Sequence, residues 1–173
     1  METWDAILTR RNIRAYEDRP IPEEAMDQIL EAGRRSPSSM NRQRWDFVVC
    51  TDRSQLERLA TVWLGAGHVA TSAATIALVA PEASSGGSIL KDSIHYDLGQ
   101  ATMSIVLAAT DLGIGCGHAD VLDQDLAREI LGLPRDRYCA YLIALGFSAE
   151  RPLKPIRRPL RRPFDEVVHR ERW

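Results

Sequence analysis

The sequence predicts an α+β fold in which helices pack around a small central sheet. Helical periodicities outnumber strand-like apolar runs along the chain, and the two kinds do not alternate as regular βαβ units would. The chain has 173 residues, 45% hydrophobic and 27% charged. That composition suits one domain, residues 1–173, with a real core, and excludes a disordered chain.

The elements follow in order. Trp4, Ile7 and Leu8 recur at helical spacing and predict a short amphipathic helix running into Arg10. Pro22 with Glu23 and Glu24 opens a second helix, because proline suits a first turn and acids complement the helix dipole. Met26, Ile29, Leu30 and Gly33 form its apolar face, and Ser36-Pro37 stops it. The polar loop Ser36 to Arg44 leads into a strand at Asp46–Cys50. A helix is predicted over 54–64, with Leu56, Leu59, Ala60 and Trp63 on one side, and a buried strand over 75–80, ended by Pro81. Ser84-Ser-Gly-Gly87 reads as a flexible connection. The longest helix is predicted over 93–111, and its many small residues predict close packing on several sides. Gly113 to Asp120 reads as a glycine-permitted turn, and Asp123 as the cap of a helix over 124–131. Tyr138 to Leu145 is a strand stopped by Gly146, and beyond Glu150 a tail rich in proline and arginine lacks the residues to build its own core.

Charge and cysteine usage narrow the function classes. The net charge of -2 gives no basic field for nucleic acid. Cys50, Cys116 and Cys139 are widely spaced, which points to a reducing compartment and away from a disulfide framework or zinc pairs. The acidic start Met-Glu-Thr-Trp-Asp has no apolar leader, and no apolar run is long enough for a membrane span, so a cytoplasmic protein is expected. The basic residues are uneven. Arg10, Arg11 and Arg14 cluster near the start, and Arg157, Arg158, Arg161 and Arg162 near the end. Each cluster is either a solvated basic face or half of an anion site, since planar guanidinium forks match phosphate and carboxylate.

Other patterns carry less. Gly65-Ala-Gly67-His-Val-Ala70 matches a dinucleotide fingerprint, with Glu82 near the acidic position, but too few residues separate it from the strand at Thr75 for the required helix. Gly113-x-Gly115 follows a helix and has His118 where a third glycine belongs. Cys116, His118 and Asp120 alternate, yet no second Cys or His pair completes a zinc pattern. His68, His95 and His169 are isolated, and Trp45 and Trp63 read as core.

Four stretches in this order remain to be explained together: Arg10-Arg-Asn-Ile-Arg14; Ser36-Pro-Ser-Ser-x-Asn-x-Gln43 with Trp45; Leu112-Gly-Ile-Gly115; and Arg161-Arg-Pro-Phe-Asp-Glu-Val-Val-His169. Together they resemble the nitroreductase family of FMN-dependent oxidoreductases over essentially the whole chain. The resemblance implies a mostly antiparallel central sheet surrounded by helices, a long central helix at a homodimer interface, and a tail from about 150 to 173 that wraps the partner. It implies FMN as cofactor and NADH or NADPH as electron donor, with nitroaromatic, quinone or related electron-poor acceptors reduced in a ping-pong cycle. By the same resemblance Arg10 and Asn12 would bind the phosphate, Arg14 the pyrimidine side of the ring, and Arg11 would add backbone or ribityl-phosphate contact. Ser38, Ser39 and Asn41 would contact FMN from the other subunit, with Pro37 shaping the loop and Gln43 among the cofactor-binding residues. Gly115, Asp120 and Val121 would bring backbone N–H groups near the flavin, and Arg161 would close over the phosphate. Hydride transfer would need no catalytic side chain. Divergent chemistry within the family (dehalogenation or flavin cleavage) and non-catalytic flavin storage are the alternatives. The chain departs from the pattern at Asn12 (usually serine), Arg44 (usually proline), Pro159 (often a cation), and in residues 65–92, where the pattern's ring-contacting Asn or Lys is not recognisable.

Overall fold

The computed structural model describes residues 1–82 and 87–173, and among these described residues four strands and five α-helices make up the architecture. In chain order they are α1 (Thr3–Thr9), α2 (Glu23–Arg34), β1 (Asp46–Cys50), α3 (Arg53–Leu59), β2 (Ala74–Pro81), α4 (Gly87–Asp111), β3 (Gly115–Asp120), α5 (Gln124–Leu131) and β4 (Arg137–Gly146). The strands form one sheet in the order β1-β2-β4-β3, and every neighbouring pair is antiparallel. This is the α+β arrangement expected from the sequence. The stretch read as a flexible connection, Ser84 to Gly87, lies outside the described residues apart from Gly87, which opens α4.

Both sheet faces are covered, so β2 and β4 run as nearly continuous apolar stretches with no polar alternation. On one face Leu56 and Leu59 of α3, Val69, and Ala127 and Ile130 of α5 pack on Val79, Leu142 and Ala144. On the other, Ile29 of α2 and Ile94, Leu98 and Ile105 of α4 pack on Ile76, Leu78, Ile143 and Leu145. Each fully buried Leu or Ile stabilises by about 1.5–3 kcal/mol relative to exposure. The 25-residue α4 is therefore the central helix. No helix among the described residues is long and apolar enough to cross a membrane.

Capping chemistry fixes the helix ends. The Asp52 side chain accepts from Gln55 N–H at the start of α3, and Asp123 accepts from Leu126 N–H at the start of α5. Gly132, left-handed at φ 64°, closes α5.

Three expectations are corrected. The predicted turn over 113–120 is mostly strand: only Gly113 turns, at φ 73°, while Gly115 to Asp120 pair in register with Gly146 to Tyr141. The helix predicted over 54–64 ends at Leu59, because Thr61 turns both its N–H and its hydroxyl onto the Arg58 carbonyl and tightens the chain. A short 3-10 segment, Leu64–Thr71, follows. Finally, α1 buries Ala6 and Thr9 and leaves Trp4 66% and Ile7 41% exposed, so the predicted apolar face points away from the core.

Candidate functional site

The arginine segment lies along the outer edge of β3. Asn12 forms a parallel bridge to Cys116, and Ile13 N–H donates to the Cys116 carbonyl at 2.8 Å. Extended backbone sends alternate side chains to opposite sides. Ile13 is accordingly fully buried, while Asn12 and Arg14 are exposed and Arg10 and Arg11 half-buried. Tyr16 locks the segment from below, its hydroxyl donating to the Ile13 carbonyl at 2.7 Å.

The glycines of β3 allow this close approach. A Cβ at Gly115 would come within 2.6 Å of Ile13 Cγ1, and one at Gly117 would collide with the Ile13 carbonyl, the Tyr16 hydroxyl and the His68 ring. Their bare backbone faces the protein's own Arg10–Arg14 segment, which a turn reading of these residues did not anticipate.

The guanidinium groups are held unequally. Arg11 is engaged within the chain, donating to the carbonyls of Lys154 and Thr9. The backbone of the segment is tied as well: Arg14 N–H donates to Glu150 Oε1 at 2.9 Å, and Arg151 Nη2 donates to the Asn12 carbonyl at 3.0 Å. Among the described residues, the Arg10 and Arg14 side chains form no ion pair, although the surface carries other Arg–carboxylate pairs such as Arg34–Glu31 and Arg58–Glu129. Two guanidiniums so placed beside Asn12 form an anion-attracting edge.

Two histidines border it. His118 Nδ1 lies 3.4 Å from Asn12 Oδ1. His68, from the 3-10 segment, abuts Gly117, is 9% exposed, and leaves Nε2 with no hydrogen-bond partner among the described residues. Burial lowers the pKa of both, with Arg10, His68 and Arg14 adding to the effect at His118. His95, on α4, has its ring nitrogens 3.2 Å from the Tyr138 and Tyr141 hydroxyls and is also lowered, first by burial and then by Lys91.

The sign of the pH effect follows. A histidine depressed below its ordinary 6.5 in the folded state binds fewer protons there than when unfolded, so its stabilising contribution is complete above about 6.5 and is lost as pH falls toward the folded value. The ligand-free protein is expected to melt several degrees lower at about pH 5.5 than at pH 7.5. A melting temperature flat across that window would contradict the burial of these imidazoles.

The far end of β3 carries the remaining predicted backbone contacts. Asp120 is exposed, and Val121 follows it, buried. Gln124 pins this corner by donating to the carbonyls of Val121 at 3.0 Å and Cys139 at 2.8 Å and accepting from Cys139 N–H. At about 3.3 Å per residue, the strand sets Val121 roughly 16 Å beyond the Asn12–Cys116 bridge.

The loop Ser36 to Arg44 is a separate structure docked on α4. Asp97, only 2% exposed, accepts the Ser39 N–H with both carboxylate oxygens at 3.1 and 3.2 Å. Met40, Asn41 and Gln43 all have positive φ, 54°, 54° and 48°. Non-glycine residues in this region cost of order 1–3 kcal/mol each and concentrate at ligand clamps. Ser38 Oγ accepts from Gln43 N–H at 2.9 Å, and Gln43 Nε2 donates to Asn41. Pro37 and Asn41 are exposed, so the loop presents its polar groups outward. Among the described residues, no hydrogen bond joins it to the arginine segment of the same chain. Arg161 is likewise apart, exposed and, among the described residues, bonded only to the Leu160 carbonyl.

Sequence reasoning thus missed Asp97, His68 and His118. Asp97 had a legible signal, a lone carboxylate inside an apolar helical pattern, whereas the two histidines are placed only by the fold. Cys116 is 2% exposed with its thiol pushed up to about 12 by burial, which keeps it protonated and unsuited to act as a nucleophile.

The family model described as "Nitroreductase family" matches residues 7–85 and 63–147. A protein of Archaeoglobus fulgidus provisionally named NADH dehydrogenase/NAD(P)H nitroreductase is 32% identical, over 99% of both chains. The FMN reductase [NAD(P)H] of Bacillus subtilis is 25% identical over 99% of this chain and 74% of its own length. The solved structure of the NADPH:FMN oxidoreductase of Vibrio harveyi, complexed with NAD+, superposes with a TM-score of 0.85 at 25% identity, covering 99% of this chain and 77% of that one. With its arginine-lined strand edge and docked polar loop in the order described, the chain belongs to the nitroreductase family.

Proposed function

We propose that this protein is an FMN-dependent NAD(P)H oxidoreductase that reduces small electron-poor acceptors, nitroaromatics and quinones among them, in a ping-pong cycle. The observation that carries this reading is the pairing with Asn12, along one strand edge, of two guanidiniums that form no ion pair among the described residues. The donor set fits a flavin mononucleotide. Arg10 and Asn12 suit the phosphate, Arg14 suits the pyrimidine edge, and His68 Nε2, buried without a partner, suits a polar atom of the ligand. The end of β3 at Asp120 and Val121, braced by Gln124, offers backbone groups for the ring. Bound FMN supplies the hydride chemistry, and the protein's task is to bind, orient and electrostatically favour the reduced anion through Arg14.

The active species in this proposal is a homodimer, with Pro37, Ser38, Ser39, Asn41 and Gln43 reaching the partner's cofactor. Two observations support it. From Arg157 to Trp173 every residue is exposed, including Leu160, Phe164 and Trp173, so the tail holds apolar surface suited to a second copy. Trp4, Ile7 and Met103 on α1 and α4 are also exposed, and such apolar surface marks association. Arg161, on that tail, is then free to close over a phosphate.

The test is the visible spectrum of the purified protein, followed by anaerobic addition of NADPH. A flavin spectrum that bleaches, and recovers on adding a quinone, is expected. A colourless protein that also refuses added FMN would overturn the proposal. A bound flavin that NADPH and NADH both leave oxidised would favour flavin storage.

A further inference from the structure

We propose that His118 is a positioning residue for the anion: it turns the Asn12 carboxamide so that its N–H2 faces the phosphate, and takes up a proton as the phosphate binds. This rests on the FMN reading above.

Asn12 has little freedom except in its side chain. Its backbone is bridged to Cys116, and its carbonyl receives Arg151. His118 is fixed by pairing opposite Ile143 in the β3–β4 ladder. The ring nitrogen Nδ1 faces Asn12 Oδ1 at 3.4 Å. A carboxamide oxygen only accepts, so Nδ1 must carry the hydrogen and Nε2 the lone pair. The amide N–H2, two donors, then points away from the ring and is left for another acceptor. The opposite rotamer would aim the carboxamide oxygen at an arriving phosphate, which is repulsive. Where the family pattern has a serine hydroxyl, this chain therefore uses two residues, one donating and one orienting.

The proton uptake follows from what surrounds the imidazole. Arg10 and Arg14 on the adjoining segment, Arg151 on the Asn12 carbonyl, and His68 from the facing 3-10 segment are cationic or can become so. Against them stand Asp120, two residues along the strand, and Glu150, which is held on Arg14 N–H. The neighbouring Cys116 thiol and Tyr16 phenol are buried and neutral, both raised by burial. A phosphate dianion placed on this edge reverses the sign of the local field and raises the proton affinity of Nε2. By linkage FMN then binds more tightly as pH falls from His118's bound-state pKa toward its lower free-state value.

The experiment titrates FMN and riboflavin into the flavin-stripped full chain, with calorimetry at about pH 6.5 in two buffers of different ionisation enthalpy. His118→Leu is expected to weaken FMN about tenfold, the scale of one charge-assisted hydrogen bond, while riboflavin, which has no phosphate, changes by less than about twofold. His118→Asn, whose amide nitrogen stands near the position of Nδ1, is expected to keep most of the FMN affinity at pH 8 yet lose the proton uptake. The phosphate of FMN itself, titrating near about 6, contributes equally to every variant, so the difference from wild type reads His118. Equal losses of FMN and riboflavin in His118→Leu, or uptake unchanged in both variants, would overturn the assignment. Wild-type protein that binds neither flavin overturns the FMN reading itself, and this assignment with it.

Discussion

Gly117→Ala is expected to cost the fold about 3 kcal/mol, as overpacking of 1–3 kcal/mol combines with a buried hydrogen bond lost nearby. The added methyl group would meet the Ile13 carbonyl, the Tyr16 hydroxyl 2.7 Å away and the His68 ring 2.8 Å away. The first of these is backbone, bonded on one side by Tyr16 and tied to β3 through its own N–H, so it yields only if the whole Arg10–Arg14 segment lifts. Denaturant unfolding reads the loss, and a double-mutant cycle with Tyr16→Phe gives it a cause. Removing the hydroxyl deletes a bond in the wild type but relieves a clash in the alanine variant, so the two changes should couple. A Gly117→Ala protein of wild-type stability would mean that the segment does not lie on this strand. Because the same displacement moves Arg10, Asn12 and Arg14, loss of flavin retention should accompany loss of stability.

That prediction also marks where sequence legibility ended. The runs Asp46–Cys50, Thr75–Ala80 and Tyr138–Leu145 could be read as strands, because a sheet covered on both faces needs continuous apolar stretches. The helix over 124–131 could be read from its cap and its closing glycine. Strand β3 could not. Gly-Cys-Gly-His-Ala-Asp has almost no strand propensity and is held extended by β4 on one side and the arginine segment on the other, both distant in sequence. Glycine there reports close packing, but composition alone reads it as a turn. The polar loop misleads in the opposite way: Met40, Asn41 and Gln43 adopt left-handed backbone without a glycine, paid for by the buried Asp97. A one-residue signal inside α4 gives no clue to its target 58 positions earlier in the chain. The site residues of the Arg10–Arg14 cluster were nameable from their order relative to three other motifs. That His68 and His118 join them depends on a 3-10 segment and an edge strand meeting, which no local pattern encodes.

Arg10→Ala should weaken FMN retention by about 1.5–3 kcal/mol, the range for a hydrogen bond to a charged group, which is roughly tenfold to a hundredfold in Kd. Arg14→Ala should differ in kind. If Arg14 faces the ring and not the phosphate, its loss should weaken FMN and riboflavin together and slow flavin reduction, because the reduced anion loses its compensating charge. Arg11→Ala serves as the internal contrast. Its guanidinium is already committed to the Lys154 and Thr9 carbonyls, so the expected effect is on anchoring of the tail and on stability, with FMN affinity changed by less than about 1 kcal/mol. Fluorescence titration of the three variants with FMN and riboflavin separates these roles. If Arg10→Ala retained full flavin while Arg11→Ala lost it, the phosphate would belong to Arg11, and the contacts seen in the single chain would have to rearrange on binding. If all three left affinity untouched, the edge of β3 would revert to a solvated basic surface, and the cofactor would have to be sought elsewhere in the fold.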